Sequence, residues 1–219
     1  MRQLVALYRS TVGKKIIMAV TGAILIGFLL THVVANLLAF AGPVKINAYS
    51  AFLHSAGELL WVARGVLIVS LILHVIAAVQ LTRLDRAARP VAYARKEPQA
   101  ATVASRTMRW GGALLLAFII YHLLHFTFGT VHPDFVEGDP YHNIVSGFRQ
   151  HPLVAGFYVV AMAGLGLHLY HGGSAMFNSL GLNHPSWNPG RQALMRALAA
   201  LVALGFATIP LAVLAGVIK

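Results

Sequence analysis

Charged side chains are sparse along this chain and fall at regular intervals. Between them lie five uncharged stretches: Ile16–Val44, Gly65–Thr82, Trp110–Pro133, Gln150–Gly190 and Ala197–Ile218. Each can hold a helix of roughly 20 residues, the length that crosses a bilayer core. The fourth exceeds one span, so a helix from about Pro152 to Asn178 is expected to give way to a polar loop, NSLGLNHPSWNPG. The pattern predicts an all-α membrane protein in one domain covering 1–219. Its five transmembrane helices lie at about 15–40, 57–83, 107–130, 152–178 and 192–217.

Composition agrees. The 219 residues are 58% hydrophobic and 11% charged, where a soluble domain carries about 25% charge. The first apolar run is too long for a signal-peptide core and no convincing cleavage site follows it, so it is expected to remain as the first helix. A net charge of +11 invites a nucleic-acid partner, but its distribution argues otherwise. Arg2, Arg9, Lys14 and Lys15 precede the first helix. Arg83, Arg86, Arg89, Arg95, Lys96, Arg106 and Arg109 fill the second connection, and Arg191 and Arg196 the fourth. The first connection has Lys45, and the third sets Arg149 beside Asp134, Glu137 and Asp139. This is the positive-inside alternation, placing the N-terminus in the cytoplasm and the C-terminus outside. With no cysteine, the chain offers no thiolate for a metal or an iron–sulfur cluster.

Eleven histidines are many for such a chain. His54, His132, His142, His151 and His184 fall in or near connections and are expected to be solvated. Six lie in spans: His32 in the first, His74 in the second, His122 and His125 in the third, His168 and His171 in the fourth. Topology turns position into depth. His32 is 17 residues past Lys15 and His122 is 13 past Arg109, so both lie roughly 20–25 Å from the inner boundary. On helices running the other way, His74 precedes Arg83 by 9 residues and His168 precedes Asn178 by 10. Those two lie about 13–15 Å from it. The expectation is two levels, His32 with His122 nearer the outside and His74 with His168 nearer the inside.

Two imidazoles facing each other across a four-helix bundle suit bis-histidine haem b, with one ring nitrogen on each face of the iron. Zinc would want three or four ligands at one level, commonly with a carboxylate or thiolate, and the first four helices have few acids. Two b haems at different depths would carry electrons across the membrane. Small residues flank several of these histidines: Ala161, Gly164, Gly172 and Ala175 around His168; Ser70, Ala77 and Ala78 around His74. They suit the approach of a flat macrocycle, although small residues also serve plain helix packing. His125 and His171 each follow a proposed ligand by three residues, on an adjacent face, and are expected to be hydrogen-bonding neighbours rather than ligands.

At these residues the chain resembles the dihaem cytochrome b membrane anchor of succinate dehydrogenases and fumarate reductases, in the class with a single five-helix anchor. The resemblance spans nearly the whole chain and rests on GFLLTHVVANLLAF, LTRLDRAARPVAY, SRTMRWGGALLLAFIIYHLLHF and YHNIVSGFRQHPLVAGFYVVAMAGLGLHLYHGGSAMFNSLGLNHP. It implies ligands from the first four helices, paired first with third and second with fourth, and selects the first histidine of HLYHG, His168, and of YHLLHF, His122. It further implies a bacterial cytoplasmic (inner) membrane location. Two partners are implied on the cytoplasmic face: a flavoprotein subunit with covalent FAD, acting on succinate or fumarate, and an iron–sulfur subunit. A quinone, more often menaquinone, would be the membrane substrate, and the complex could form a higher oligomer.

A quinone pocket needs apolar walls and polar groups for the carbonyl oxygens. Glu58, the only acid before Asp85, lies near the outer start of the second helix and could line an outer pocket with Tyr49, His54 and Asn36. The plainer alternative pairs Glu58 with Arg64. On the inner side, Arg106 and Arg109 are expected to anchor the helix or bind haem propionates. Three other readings compete: the cytochrome b of a hydrogenase or formate dehydrogenase, a haem-free transporter or proton channel with buried histidines, and a structural anchor without haem.

Overall fold

The computed structural model describes residues 8–88, 91 and 102–219; Arg2, Arg89, Arg95 and Lys96 lie outside them. Helix α1 (Thr11–Leu37) starts where the Ser10 hydroxyl accepts the Gly13 N–H at 2.9 Å, and it ends in a 3₁₀ turn, Leu38–Ala41. Gly42 (φ 90°) and Gly57 (φ 53°) bracket a short helix, α2 (Pro43–Ser55). Both hold the positive φ that only glycine adopts cheaply, and so let the chain reverse from α1 through α2 into α3 (Glu58–Ala87). Helix α4 (Val103–His122) is capped by Thr102, whose hydroxyl accepts the Ser105 N–H at 3.2 Å. It runs on into a π-helical turn, Leu123–Thr127. Asp139 caps α5 (Pro140–Arg149), and α6 (Pro152–Ser179) and α7 (Asn188–Leu214) complete the chain. Among the described residues there is no strand.

Five of these helices, α1, α3, α4, α6 and α7, are long and apolar enough to cross a membrane. Large apolar side chains such as Val34, Trp61, Val62 and Leu153 stay exposed along them. That is the surface of a multi-pass membrane protein, whose spans meet lipid and must satisfy every backbone group internally. The third span starts at Val103 and closes at Thr127, a few residues earlier at both ends than the hydrophobic pattern predicts. Thr102 sets the start, and the π turn sets the end.

The connections predicted as loops hold the two short helices instead. Proline in the first turn starts each of them. α2 and α5 lie together at one end of the spans, tied by Asn47: its amide donates to Asp139 at 2.9 Å and its side-chain oxygen accepts the Tyr141 N–H at 3.1 Å. Ile144 and Phe148 of α5 pack into one core with Phe118 of α4, Ala155 and Tyr158 of α6 and Val213 of α7. Arg149 donates to the Ile218 carbonyl and secures the C-terminus at this capped end.

The spans pack unevenly. α7 lies closely on α6 and also touches α1, and α6 contacts α1. Glycine permits these approaches: a Cβ on Gly205 would sit 2.7 Å from Val33, and one on Gly166 would sit 3.1 Å from Ala203. α3 packs mainly on α1, and α4 mainly on α6. At the end away from the cap, Arg109 of α4 reaches Asp85 of α3 at 3.1 Å in an exposed ion pair.

Candidate functional site

Four spans bring the expected histidines together in two pairs. The rings of His32 (α1) and His122 (α4) lie 6.0 Å apart, centroid to centroid, with planes at 84°. Those of His74 (α3) and His168 (α6) lie 6.3 Å apart at 59°. Two imidazoles on opposite sides of one metal have a definite spacing. A metal–nitrogen bond of about 2.0–2.1 Å plus the ring radius puts the centroids about 6 Å apart. Both pairs stand at that spacing. Among the described residues no three His, Asp or Glu side chains are grouped to hold a metal ion. Each pair on its own offers two imidazole rings from two different spans.

The pair near the cap is enclosed by aromatic rings. Phe28 stacks on His32 at 4.9 Å, and Phe118 stacks on His122 at 5.7 Å. Phe206 of α7 stands 5.5 Å from His32. Asn36 donates to the His32 carbonyl at 2.8 Å and lies 3.3 Å from its Nδ1. Nδ1 of His122 is 3.3 Å from the Tyr158 hydroxyl, and Nδ1 of His125 is 3.0 Å from the same oxygen.

The other pair sits among small residues. A Cβ on Gly22 (α1) would lie 3.4 Å from His74 Cε1, and one on Gly112 (α4) would lie 3.9 Å from His168 Cε1. Nδ1 of His74 is 3.1 Å from the Met18 carbonyl and 3.2 Å from the Thr21 hydroxyl oxygen. That hydroxyl already donates to the Ile17 carbonyl at 2.7 Å. Both neighbours of Nδ1 therefore accept, Nδ1 carries the proton, and Nε2 keeps its lone pair. His168 is different: its Nδ1 is buried without a partner. Beside it a cavity of about 420 Å³ opens between α4 and α6, lined by Met108, Trp110, Leu114, Gly164 and Leu167 among others. The cavity is lined from the α4 and α6 side only, with His168 at its edge, and the orphaned Nδ1 of His168 is a buried polar atom that calls for a hydrogen-bonding or metal partner.

The neighbouring histidines have other positions. His171 is half-buried on the face next to His168. His125 is 1% exposed, stacked at 4.9 Å on His132. His132, expected in solvent, is buried, because its Nε2–H donates at 2.9 Å to the Asn143 carbonyl of α5. His151 is half-buried with Nε2 unpartnered, whereas His54, His142 and His184 are exposed. Glu58 is exposed and forms no ion pair among the described residues; Arg64 lies over the Trp61 ring at 4.9 Å instead. His54 bonds to the Ser50 carbonyl within α2. No hydrogen bond among the described residues links Glu58, Tyr49 or His54 to Asn36.

Reading the sequence missed Gly22, Gly112, Thr21 and Tyr158. A signal for three of them exists in the spacing. Ten residues of helix rise about 15 Å, a few Å more than the separation of the two levels counted along the sequence. Gly22 precedes His32 by ten, Gly112 precedes His122 by ten and Tyr158 precedes His168 by ten. Each residue found ten positions from a histidine of one pair stands at the other pair.

No family model, curated protein or solved structure matches this chain.

Proposed function

We propose that this chain is the haem-carrying membrane anchor of a succinate:quinone oxidoreductase, passing electrons between an iron–sulfur subunit and a membrane quinone, menaquinone by preference. The observation that carries the reading is the pair of ring separations, 6.0 and 6.3 Å, at two levels of one set of spans. His32 and His122 would hold one haem b, and His74 and His168 the other. Held by two histidines each, such groups would supply one-electron transfer.

The chain's own residues would do the rest. α1, α3, α4 and α6 form the four-helix bundle around the two centres. The Met18 carbonyl and Thr21 orient His74; Gly22 and Gly112 clear space beside the rings; Phe28 and Phe118 exclude water from the pair near the cap. The positive-inside rule puts the N-terminus and the Asp85–Arg109 end in the cytoplasm, where the partner subunits would dock, and the C-terminus with α2 and α5 outside. Asn36, beside His32, is the polar side chain best placed to meet a quinone at the outer level, and Glu58, Tyr49 and His54 would serve its approach.

A reduced-minus-oxidised spectrum with a haem count on the purified chain tests this. Two b haems per chain are expected; zero or one would sink the four-ligand assignment. Copurification with a covalent flavoprotein is expected. A nickel or molybdenum enzyme in its place would move the chain to the hydrogenase or formate dehydrogenase type.

A further inference from the structure

Tyr158 is 6% exposed, and its hydroxyl stands between two Nδ1 atoms, of His122 at 3.3 Å and of His125 at 3.0 Å. A phenol has one proton to give and lone pairs to receive, so Tyr158 can accept from one of these imidazoles while donating to the other. We propose that Tyr158 is the positioning residue of His122. Its oxygen accepts the Nδ1–H of His122 and its own proton goes to Nδ1 of His125. This inference rests on the haem reading above and adds to it the group that fixes a ligand's tautomer. With Nδ1 protonated, His122 presents an unprotonated Nε2 to the metal, and the ring is held at a set angle.

The surroundings give the triad its rigidity. Phe118 and Phe148 each stand edge-on to the Tyr158 ring at 5.0 Å. His125 packs against Phe126 at 4.1 Å and against His132 at 4.9 Å. His132 is held in turn by the Asn143 carbonyl. The backbone of α5 closes over both rings at Gly147, where a Cβ would fall 2.8 Å from His132 Nε2 and 3.1 Å from His125 Nε2. The other pair has the same division of labour by other means. His74 is oriented by the Met18 carbonyl and Thr21, while Nδ1 of His168 has no partner. In each pair one ring is anchored through Nδ1 to a neighbouring span.

The test is Tyr158→Phe in the full complex, with the haem count, the midpoint potential of each haem and the low-spin EPR signals as readouts. An acceptor on Nδ1–H makes an imidazole a stronger electron donor. Its loss should therefore raise the potential of one haem, alter that haem's EPR signal and leave the other unchanged. Merely filling space is a task phenylalanine does equally well, and it would move neither. His125→Gln should shift the same haem in the same direction by less, because Tyr158 then loses its fixed acceptor. Should Tyr158→Phe fail to accumulate, His125→Gln decides alone. Two haems with unmoved potentials and spectra in these variants overturn the positioning role and leave the parent reading standing. An unmodified chain without haem overturns both.

Discussion

The two histidine pairs are made of the same parts but housed differently. His32 and His122 sit under a cap, α2 and α5, with a core of buried side chains around Tyr158. His74 and His168 sit where α3 has little beside α1 to pack on, next to glycines and a cavity of about 420 Å³. At one site the rings are located by aromatic contacts and a hydroxyl. The other is left partly open, and small residues define the space. A lipid-facing helix gains little by burying apolar side chains against its neighbours, since lipid is as apolar as they are. An open slot between spans is therefore cheap to maintain, whereas the cap must be built from hydrogen bonds and close packing.

That contrast can be broken most sharply at the ligands. His168→Ala and His74→Ala should each abolish one haem of two, and so should His122→Ala and His32→Ala at the other level, while His171→Ala keeps both. Loss of a haem in His171→Ala with retention in His168→Ala, read by the same spectra, would reverse the assignment on α6. Next in size is Gly22→Leu, which drives a side chain into the His74 ring from a Cβ position 3.4 Å away. It should deplete the haem of the open level and spare the capped one; equal loss of both would erase the distinction.

The cap should answer differently to crowding. Gly147→Ala places a methyl against His125 and His132, and overpacking of this kind costs about 1–3 kcal/mol. A lower thermal midpoint in detergent is expected with two haems still bound, and an unchanged midpoint would show the cap to be loose. Smallest is Asn47→Ala, which cuts the tie between α2 and α5 at a cost of about 1 kcal/mol. It should lower the midpoint slightly and leave both spectra alone.

Much of this was legible in the residue pattern. Uncharged runs located all five spans, because lipid tolerates no other long segment. Depth counting from Lys15, Arg83 and Arg109 set His32 level with His122 and His74 level with His168, and the rings stand together in those pairs. Counting works because a transmembrane helix has a fixed rise and a fixed direction, leaving depth as a one-dimensional problem. The connections were less legible. A proline start and an Asn47–Asp139 tie make helices of segments whose composition reads as loop, and His132 is buried by a carbonyl eleven residues away.

The sequence by itself determined the number of spans, the spacing of the histidines along them and the sign of charge at each end. These depend on local composition and on helix rise alone. Only the tertiary structure decided which ring nitrogens are engaged and which are free, that Tyr158 stands between His122 and His125, and that glycines of α1 and α4 face the rings of α3 and α6. Those features depend on the rotation of each helix about its axis and on which neighbour it faces. Both are settled by packing between spans, and hydropathy carries no record of either.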